Sequence, residues 1–386
     1  MEPGLTCFGG RDDLKNSSRP ATSLLRAAQS GRSVVRQRRM DAASSADTIN
    51  HDNGAWETDS AFPFPRLQRR WDAHDKGVLG PASDVLSRIS RRQFLLAASA
   101  AAAGGVAADG VVIDPLLTLL VTRYRLSPRV WPAGLTLSLA VIADIHACDP
   151  WLTVAHIEKI VDATNALEAD AVVLLGDFVA GHTMVTAFVP DSDWARALSA
   201  LRAPLGVYAV LGNHDWWADD RAQLLGRGPI AARTALERAG IPVLENDVVK
   251  LSRAGEEFWI AGLGDQYAFV GAGARGLEEM VGLDDLDAIL DKVAGEAPIV
   301  LLAHEPDIFP RVPSRIGVTL AGHTHGGQVR PFGQILFAPS PMSRTYNYGH
   351  FCENGRHLIV SGGIGCSAWP VRLGAPPEVL LVTLGP

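Results

Sequence analysis

Apolar runs with a β-strand composition recur from residue 135 onward, and each is followed directly by glycine, aspartate, asparagine or histidine. The clearest runs are Leu135–Ile142, Ala171–Leu175, Val207–Leu211, Pro298–Ala303 and Val318–Ala321. Segments with helical spacing of apolar residues lie between several of them, which predicts largely parallel sheets covered by helices. Because such sheets place functional groups in the loops at the carboxyl ends of their strands, the pattern predicts an α/β fold with a site at one sheet edge.

The remaining elements follow from the same periodicities. Helices are predicted at Thr153–Leu167, Trp194–Leu201, Ile230–Ala239 and Leu286–Val293. Further strands are predicted at Phe258–Leu263, His357–Val360 and Glu378–Leu384. Pro229 before the third helix and Gly240 after it are typical boundary residues.

The polar residues at the strand ends have the chemistry of metal ligands. In chain order they are Asp144, His146, Asp177, Asn213, His304, His323 and His325. Carboxylate, amide and imidazole together suit a hard or borderline divalent ion better than a thiolate-bound structural zinc. Seven candidate ligands are too many for one ion, so they predict two ions that share a carboxylate. If the backbone is extended at His323 and His325, their alternate side chains lie on one face.

Two neighbours of Asn213 have predicted catalytic roles. If Asn213 binds an ion, the adjacent side chain of His214 points elsewhere and is placed to stabilise the transition state or to protonate the leaving oxygen. Asp215 is predicted either to orient the imidazole of His214 or to cap a helix. His182, five residues beyond Asp177, is predicted to reach the substrate cleft.

The ordered set Asp-x-His, Gly-Asp, Gly-Asn-His-Asp, a lone His and Gly-His-x-His resembles the calcineurin-like metallophosphoesterases over residues 135–386. The resemblance implies a four-layer sandwich of two mixed β-sheets flanked by helices. It also implies a hydroxide held between two divalent ions that attacks phosphorus in line, with Mn²⁺ the leading candidate ion and Fe²⁺, Zn²⁺ or Mg²⁺ as alternatives. The implied first ion is bound by Asp144, His146 and His325, and the second by Asn213, His304 and His323, with Asp177 bridging them.

The run Gly322–Arg330 and the tail around Gly363–Arg372 resemble one branch of that family. The branch contains twin-arginine-exported phosphoesterases and relatives that hydrolyse UDP-diacylglucosamine in lipid A synthesis. Arg330 and Arg372 are candidates for contacting a second phosphate or an anionic head group, with surface salt bridges as the alternative for each.

The N-terminal third has a different composition. Residues 1–89 are predicted to be a disordered leader or an over-extended N-terminus, because they contain few periodic apolar positions. In 90–108, Arg91 and Arg92 precede an alanine-rich apolar run, which predicts a twin-arginine signal and a periplasmic location. Residues 109–134 are predicted to be a linker or a membrane-proximal segment, leaving open whether the signal is cleaved or retained as an anchor. The catalytic domain is predicted at 135–386.

The leading functional prediction is an exported two-metal phosphodiesterase acting on a lipid or nucleotide diester. One alternative is hydrolysis of the pyrophosphate bond of UDP-2,3-diacylglucosamine, and an alternative of another class is a catalytically silent metal-binding module. The formal net charge of −7 gives no support for a nucleic-acid-binding surface. Expected partners are the export machinery and the membrane. Cys352 and Cys366 are positioned in sequence to pair if the chain is exported.

Overall fold

The computed structural model describes residues 118–270 and 279–386, together with isolated positions at 58–59, 99, 104–105 and 110. Nearly all of the predicted twin-arginine signal and of the predicted leader, including Arg91 and Arg92, lies outside the described residues. Within the leader, Thr58–Asp59 (β1) forms a two-residue strand that pairs antiparallel with Val121 and Thr122. No helix in the described ranges is both long enough and apolar enough to cross a bilayer.

The first sheet is mixed. Besides β1 it contains β2 (Leu120–Leu126), β3 (Leu137–Ile142), β5 (Ala171–Leu175), β7 (Val207–Val210) and β14 (Glu378–Leu384). The strand order is β1-β2-β14-β3-β5-β7. Strands β3, β5 and β7 are parallel, β14 is antiparallel to β3, and β2 is parallel to β14. The carboxyl ends of β3, β5 and β7 therefore lie at the same edge as the amino end of β14.

The second sheet is also mixed. Its strands are β8 (Asp247–Arg253), β9 (Glu256–Gly262), β10 (Ile299–Leu302), β11 (Ile316–Ala321), β12 (Gly349–Glu353) and β13 (Arg356–Val360). They are ordered β12-β13-β11-β10-β9-β8, with a parallel centre and an antiparallel hairpin at each edge. A separate two-stranded ribbon joins β4 (Cys148–Asp149) to β6 (Ala187–Phe188).

Helices cover the outer faces of both sheets. They are α1 (Val154–Asn165), α2 (Asp191–Leu198), α3 (Asn213–Trp217), α4 (Asp220–Leu225), α5 (Ala231–Arg238) and α6 (Leu286–Lys292). The first begins at Thr153, whose side chain accepts a hydrogen bond from the backbone N–H of His156, and it buries Ile157, Ile160 and Val161. This buried stripe packs on the first sheet.

Three clusters of buried apolar residues lie between the layers and join them. Ile157, Leu198 and Leu236 pack with residues of β3 and β5 on the outer face of the first sheet. Leu139, Val173, Phe258, Val300 and Val318 belong to a second cluster that joins the two sheets face to face. Ile289 and Phe309 pack with strands of the second sheet on its outer face. The order helix, sheet, sheet, helix confirms the predicted four-layer sandwich.

The predicted linker 109–134 needs correction. Its residues 120–126 are β2, which pairs with the whole length of β14. Trp131 is buried in the inter-sheet cluster, and its indole N–H donates to the carbonyl of Leu135. The prediction failed because Arg123 and Arg125 interrupt the apolar pattern on this outer strand. Cys366 is a buried free thiol, so the pairing with Cys352 is not formed.

Candidate metal centre

The loops at the carboxyl ends of five strands bring the predicted ligands to one edge of the sandwich. Asp144 and His146 follow β3, Asp177 follows β5, Asn213 follows β7, His304 follows β10, and His323 and His325 follow β11. All seven side chains are buried, with at most 6% of their surface exposed. Side chains that are distant in sequence therefore meet in a single interior site.

These side chains form two groups that could each hold a metal ion. The first is Asp144, His146, Asp177 and His325, and the second is Asp177, His304 and His323; within each group the ligand atoms lie within 4.8 Å of one another. Asp177 Oδ2 is 3.4 Å from His146 Nε2 and 3.2 Å from His304 Nε2. Asp177 belongs to both groups, which is the arrangement that a bridging carboxylate requires.

Asn213 joins the second group through its amide oxygen. Oδ1 is 3.1 Å from His304 Nε2 and 3.0 Å from His323 Nδ1. Two ligand atoms on one ion lie about 3–3.5 Å apart when each bond is about 2.1 Å long. The amide oxygen and the two ring nitrogens thus have the spacing of atoms that share one ion.

The imidazole rings are held in orientations that suit metal binding. His146 Nδ1 lies 2.8 Å from the carbonyl of Val179, and His304 Nδ1 lies 2.6 Å from that of Leu175. Because a carbonyl oxygen only accepts, each Nδ1 carries a proton and each Nε2 is directed into the site. His325 Nδ1 lies 3.2 Å from the carbonyl of Gly365 and also 3.2 Å from a guanidinium nitrogen of Arg372, and these two contacts hold the third ring in place.

Several ligand atoms approach one another closely, as they would around a cation. His146 Nε2 and His325 Nε2 are 3.1 Å apart. Burial lowers the pKa of His146 to about 3, so its imidazole is neutral at neutral pH and able to bind a metal ion. Asp144 Oδ2 is buried and has no hydrogen-bond donor among the described residues. A buried carboxylate oxygen is costly unless it is paired or bound to metal, so the donor set fits divalent ions.

The pKa shifts of the buried groups also favour a bound cation. Burial raises the pKa of Asp144 to about 7, an effect that a bound cation would reverse. Burial opposes a proton on His304, but the carboxylates of Asp177, Glu305 and Asp144 together outweigh it and hold the pKa of His304 well above its usual range. The position between His304 Nε2 and Asp177 Oδ2 therefore favours positive charge.

The backbone at the ligands is not extended, which corrects the predicted geometry of the histidine pair. Five of the seven residues have a positive φ between 49° and 67°: Asp144, His146, Asp177, His323 and His325. These two histidines converge through a tight turn rather than through strand alternation. Gly212 is required nearby, because a Cβ there would lie 2.4 Å from Asp177 Oδ1.

His214 lies beside the two groups and in neither of them. Its ring packs edge-on against His146 and lies 5.0 Å from the ring of Trp217. Its Nε2 is 3.2 Å from the hydroxyl of Ser367, and the side chain is partly exposed. Asn213 and His214 lie in helix α3, where successive side chains point about 100° apart. Ser367 was not singled out by the sequence analysis, because an isolated serine after a glycine-rich run has no pattern.

Of the two roles predicted for Asp215, the structure agrees with helix capping and not with orienting His214: the carboxylate accepts from the backbone N–H of Gly212, the N-cap of α3. Its Oδ1 accepts hydrogen bonds from the backbone N–H groups of Phe178 and Val179, and its Oδ2 from those of Asp177 and Gly212. Among the described residues, no hydrogen bond joins this carboxylate to the imidazole of His214. Asp215 therefore positions the backbone that carries Asp177.

Of the two arginines predicted to contact substrate, Arg372 is buried and Arg330 lies over an aromatic ring. Arg372 is fully buried and donates to the carbonyls of Gly362, Gly365 and Ala375, so it cannot meet a substrate and instead supports the loop behind His325. This guanidinium was predicted at the surface because glycine-rich loops usually are. Arg330 lies over the ring of Tyr348, with its guanidinium carbon 5.3 Å from the ring centre.

His182 is 8% exposed, and neither ring nitrogen has a hydrogen-bond partner in the described part of the chain. Burial and the neighbouring His214 lower its pKa. Gly181 lies against the ring of His146, which places His182 close to the metal ligands. Two buried acids beside the site, Asp265 and Glu305, were missed, although Glu305 directly follows His304.

Comparisons with known proteins agree with this site. A family model described as calcineurin-like phosphoesterase matches residues 137–327. The metallophosphoesterase YkuE of Bacillus subtilis (strain 168) is 27% identical over 78% of this chain and 99% of its own length. A transmembrane protein with metallophosphoesterase domain from Bos taurus is 27% identical over 66% of this chain, which spans about half, 54%, of that relative.

Among solved structures, a dimetal phosphatase from Danio rerio aligns with 59% of this chain and 88% of its own, at 15% identity and a TM-score of 0.32. A likeness this distant adds nothing to the family match. The matched residues 137–327 include all seven predicted ligands. Residues 137–327 belong to the calcineurin-like phosphoesterases, a family of metal-dependent phosphoester hydrolases.

Proposed function

We propose that this chain is a phosphodiesterase with a two-metal centre. The observation that carries the proposal is the position of Asp177 in both ligand groups, with an orphaned carboxylate oxygen of Asp144 beside it. Two bound divalent ions would activate the attacking water and neutralise charge on the phosphoryl oxygens. A metal-binding module without catalysis would not need a further imidazole beside the ligands, and His214 occupies that position.

The ligands divide between the ions as the two groups suggest. Asp144, His146 and His325 would hold one ion, and Asp177 would bridge to the second. Asn213, His304 and His323 would hold the second. The backbone carbonyls behind His146 and His304 keep each Nε2 directed at its ion, so these rings need no reorientation when metal binds. The mixture of carboxylate, amide and imidazole is compatible with Mn²⁺, which we propose as the working ion.

His214 is proposed to act on the substrate. It lies next to ligand His146, is partly exposed, and bonds only the hydroxyl of Ser367 through Nε2 in the described chain. A substrate oxygen that replaced the serine hydroxyl would accept a hydrogen bond from Nε2–H. We assign His214 to the leaving oxygen, where the negative charge develops as the ester bond breaks. His182 lies beside it and is proposed to contact the phosphate.

A substrate panel on reconstituted protein tests the proposal. The protein is stripped of metal, loaded separately with Mn²⁺, Fe²⁺, Zn²⁺ or Mg²⁺, and assayed with phosphate mono-, di- and pyrophosphate esters. We expect the highest kcat/KM for diesters with Mn²⁺. Fastest turnover of a pyrophosphate ester would instead favour the UDP-diacylglucosamine branch. Absence of turnover in every combination would refute the hydrolase.

Export to the periplasm remains a separate proposal. It is supported by Arg91 and Arg92 before an alanine-rich apolar run. Membrane association is supported by the name of the Bos taurus relative, a transmembrane protein with metallophosphoesterase domain. Changing both arginines to lysine should leave the protein in the cytoplasm in a fractionation experiment. Normal periplasmic levels of that variant would show that another signal directs the chain.

A further inference from the structure

Six large apolar side chains are exposed on three segments beside the metal centre. We call them the apolar collar: Met184, Phe188, Phe332, Leu336, Phe337 and Trp369. Phe332 is as exposed as in a free peptide, and Trp369 is 67% exposed. Single exposed apolar residues are ordinary, but a group of large ones marks an interaction surface.

Hydrogen bonds join the three collar segments side by side. The side-chain amide of Gln328 donates to the carbonyls of Ser367 and Trp369 at 3.0 and 2.9 Å, which links the segment 328–337 to Trp369. The backbone N–H of Ala368 donates to the carbonyl of Gly181 at 3.1 Å, which links Trp369 to the segment 181–188. Ser367, in the middle, contacts His214. The collar therefore borders the entrance to the metal centre.

The backbone at Phe332 shows that its exposure is not needed by the fold. Phe332 has a φ of 54° in the turn Pro331–Gly333, a left-handed conformation that bulky residues seldom adopt. Glycine or asparagine would make this turn at lower cost. A phenylalanine that is strained and fully exposed contributes nothing to stability, which points to a contact outside the chain.

The absence of acidic residues from the segments that contain the apolar collar favours an anionic partner. The stretches 178–190, 308–352 and 354–377, which contain the collar, have no aspartate or glutamate, whereas the chain as a whole carries 42 acidic residues and a net charge of −7. Arg344 in the same region is exposed. Segments that carry exposed aromatic residues and arginine but no acidic residue suit the interface of an anionic lipid bilayer. It does not suit a second copy of itself, since that would oppose arginine to arginine.

We infer that the apolar collar docks on an anionic lipid bilayer and places the entrance of the metal centre at the head groups. The proposal does not depend on hydrolysis, because docking needs no metal. It specifies which surface of the domain meets the membrane and which side chains enter it. Phe332 and Trp369 would enter deepest, and Arg344 would contact the anionic head groups.

Sedimentation of the full chain with vesicles tests the inference, with metal removed. We expect binding to phosphatidylcholine vesicles that contain phosphatidylglycerol, and about tenfold weaker binding for Phe332→Ser combined with Trp369→Ser. Arg344→Gln should weaken binding only to the anionic vesicles. Val130→Ser is the control, because Val130 is 37% exposed but lies against Gly317 at the start of β11, at the opposite end of the sheet from the site.

Equal binding by the parent and the double variant would overturn the inference and assign vesicle binding to another part of the chain. Equal binding to neutral and anionic vesicles would overturn the charge argument. Dimerisation that is lost in Phe332→Ser, without vesicle binding, would identify a second copy as the partner and also refute the proposal. Each result is read without an activity assay, so it is separate from any failure of the proposed phosphodiesterase.

Discussion

Replacing Asp215 by asparagine tests how the metal centre is built. Each oxygen of this buried carboxylate accepts two backbone N–H groups, from Phe178 and Val179 on one side and from Asp177 and Gly212 on the other. Asparagine has the same shape but only one acceptor oxygen. Two of the four N–H groups would therefore face an NH₂ group. No cavity is created, so any loss reports on these hydrogen bonds.

The size of the effect follows from the bonds that are lost. A hydrogen bond to a charged group contributes about 1.5–3 kcal/mol, so losing two costs about 3–6 kcal/mol. Burial and the charge of Asp177 raise the pKa of Asp215 to about 7, which makes the ionised carboxylate costly in the metal-free chain. Bound cations offset the charge of Asp177. We therefore expect the full loss in metal-loaded protein and a smaller one in metal-free protein.

Urea unfolding of Mn²⁺-loaded protein, followed by tryptophan fluorescence, measures the free energy of unfolding, and elemental analysis measures metal content. The matched control is Asp285→Asn, an exposed helix N-cap at which asparagine works as well as aspartate. A loss below about 1 kcal/mol in Asp215→Asn, with both ions retained, would refute the positioning role. A lower kcat with unchanged stability would instead support the prediction that Asp215 orients the imidazole of His214.

Three further predictions concern single side chains. Asp177→Asn should reduce metal content at both positions, measured by elemental analysis; loss of one ion alone would contradict a bridging role. His214→Ala should keep both ions and nearly the parent KM, while kcat falls about 10²–10⁴-fold. The fall should be smaller for a nitrophenyl ester, and an equal fall for all leaving groups would exclude proton donation. Arg372→Gln should lower the Tm, because three buried carbonyls lose their donor. A raised KM with an unchanged Tm would instead indicate that Arg372 contacts the substrate.

The centre of each sheet was predictable because its strands are buried on both faces. Ala171–Leu175 is apolar at every position, and the structure gives the same boundaries. The outer strands were missed for the opposite reason. In β8, Lys250 and Ser252 alternate with apolar residues on a half-exposed edge, and β12 contains the polar residues His350 and Glu353. Half-exposed strands contain more polar residues, so they lack the continuous apolar run that marks the central strands.

Within the site, the seven candidate ligands could be selected from the sequence, whereas the contacts made by their neighbours could not. His323 and His325 stand out because their spacing and flanking glycines are local features. The partners of Arg372 and Asp215 are set by loops that meet only in three dimensions. Asp215 is buried by residues 36–38 positions away, and no local pattern records which donors surround it.

The left-handed backbone at five predicted ligands limits how the domain can be engineered. Each such residue costs about 1 kcal/mol relative to an ordinary conformation, or about 5 kcal/mol together, which is comparable with the whole stability of many domains. Glycine adopts this conformation at the lowest cost. A laboratory selection for heat resistance alone would therefore accumulate glycine at the ligand positions listed above. It would yield sturdier proteins without a metal centre, so any thermostabilisation of this scaffold has to be screened for retained metal at every round.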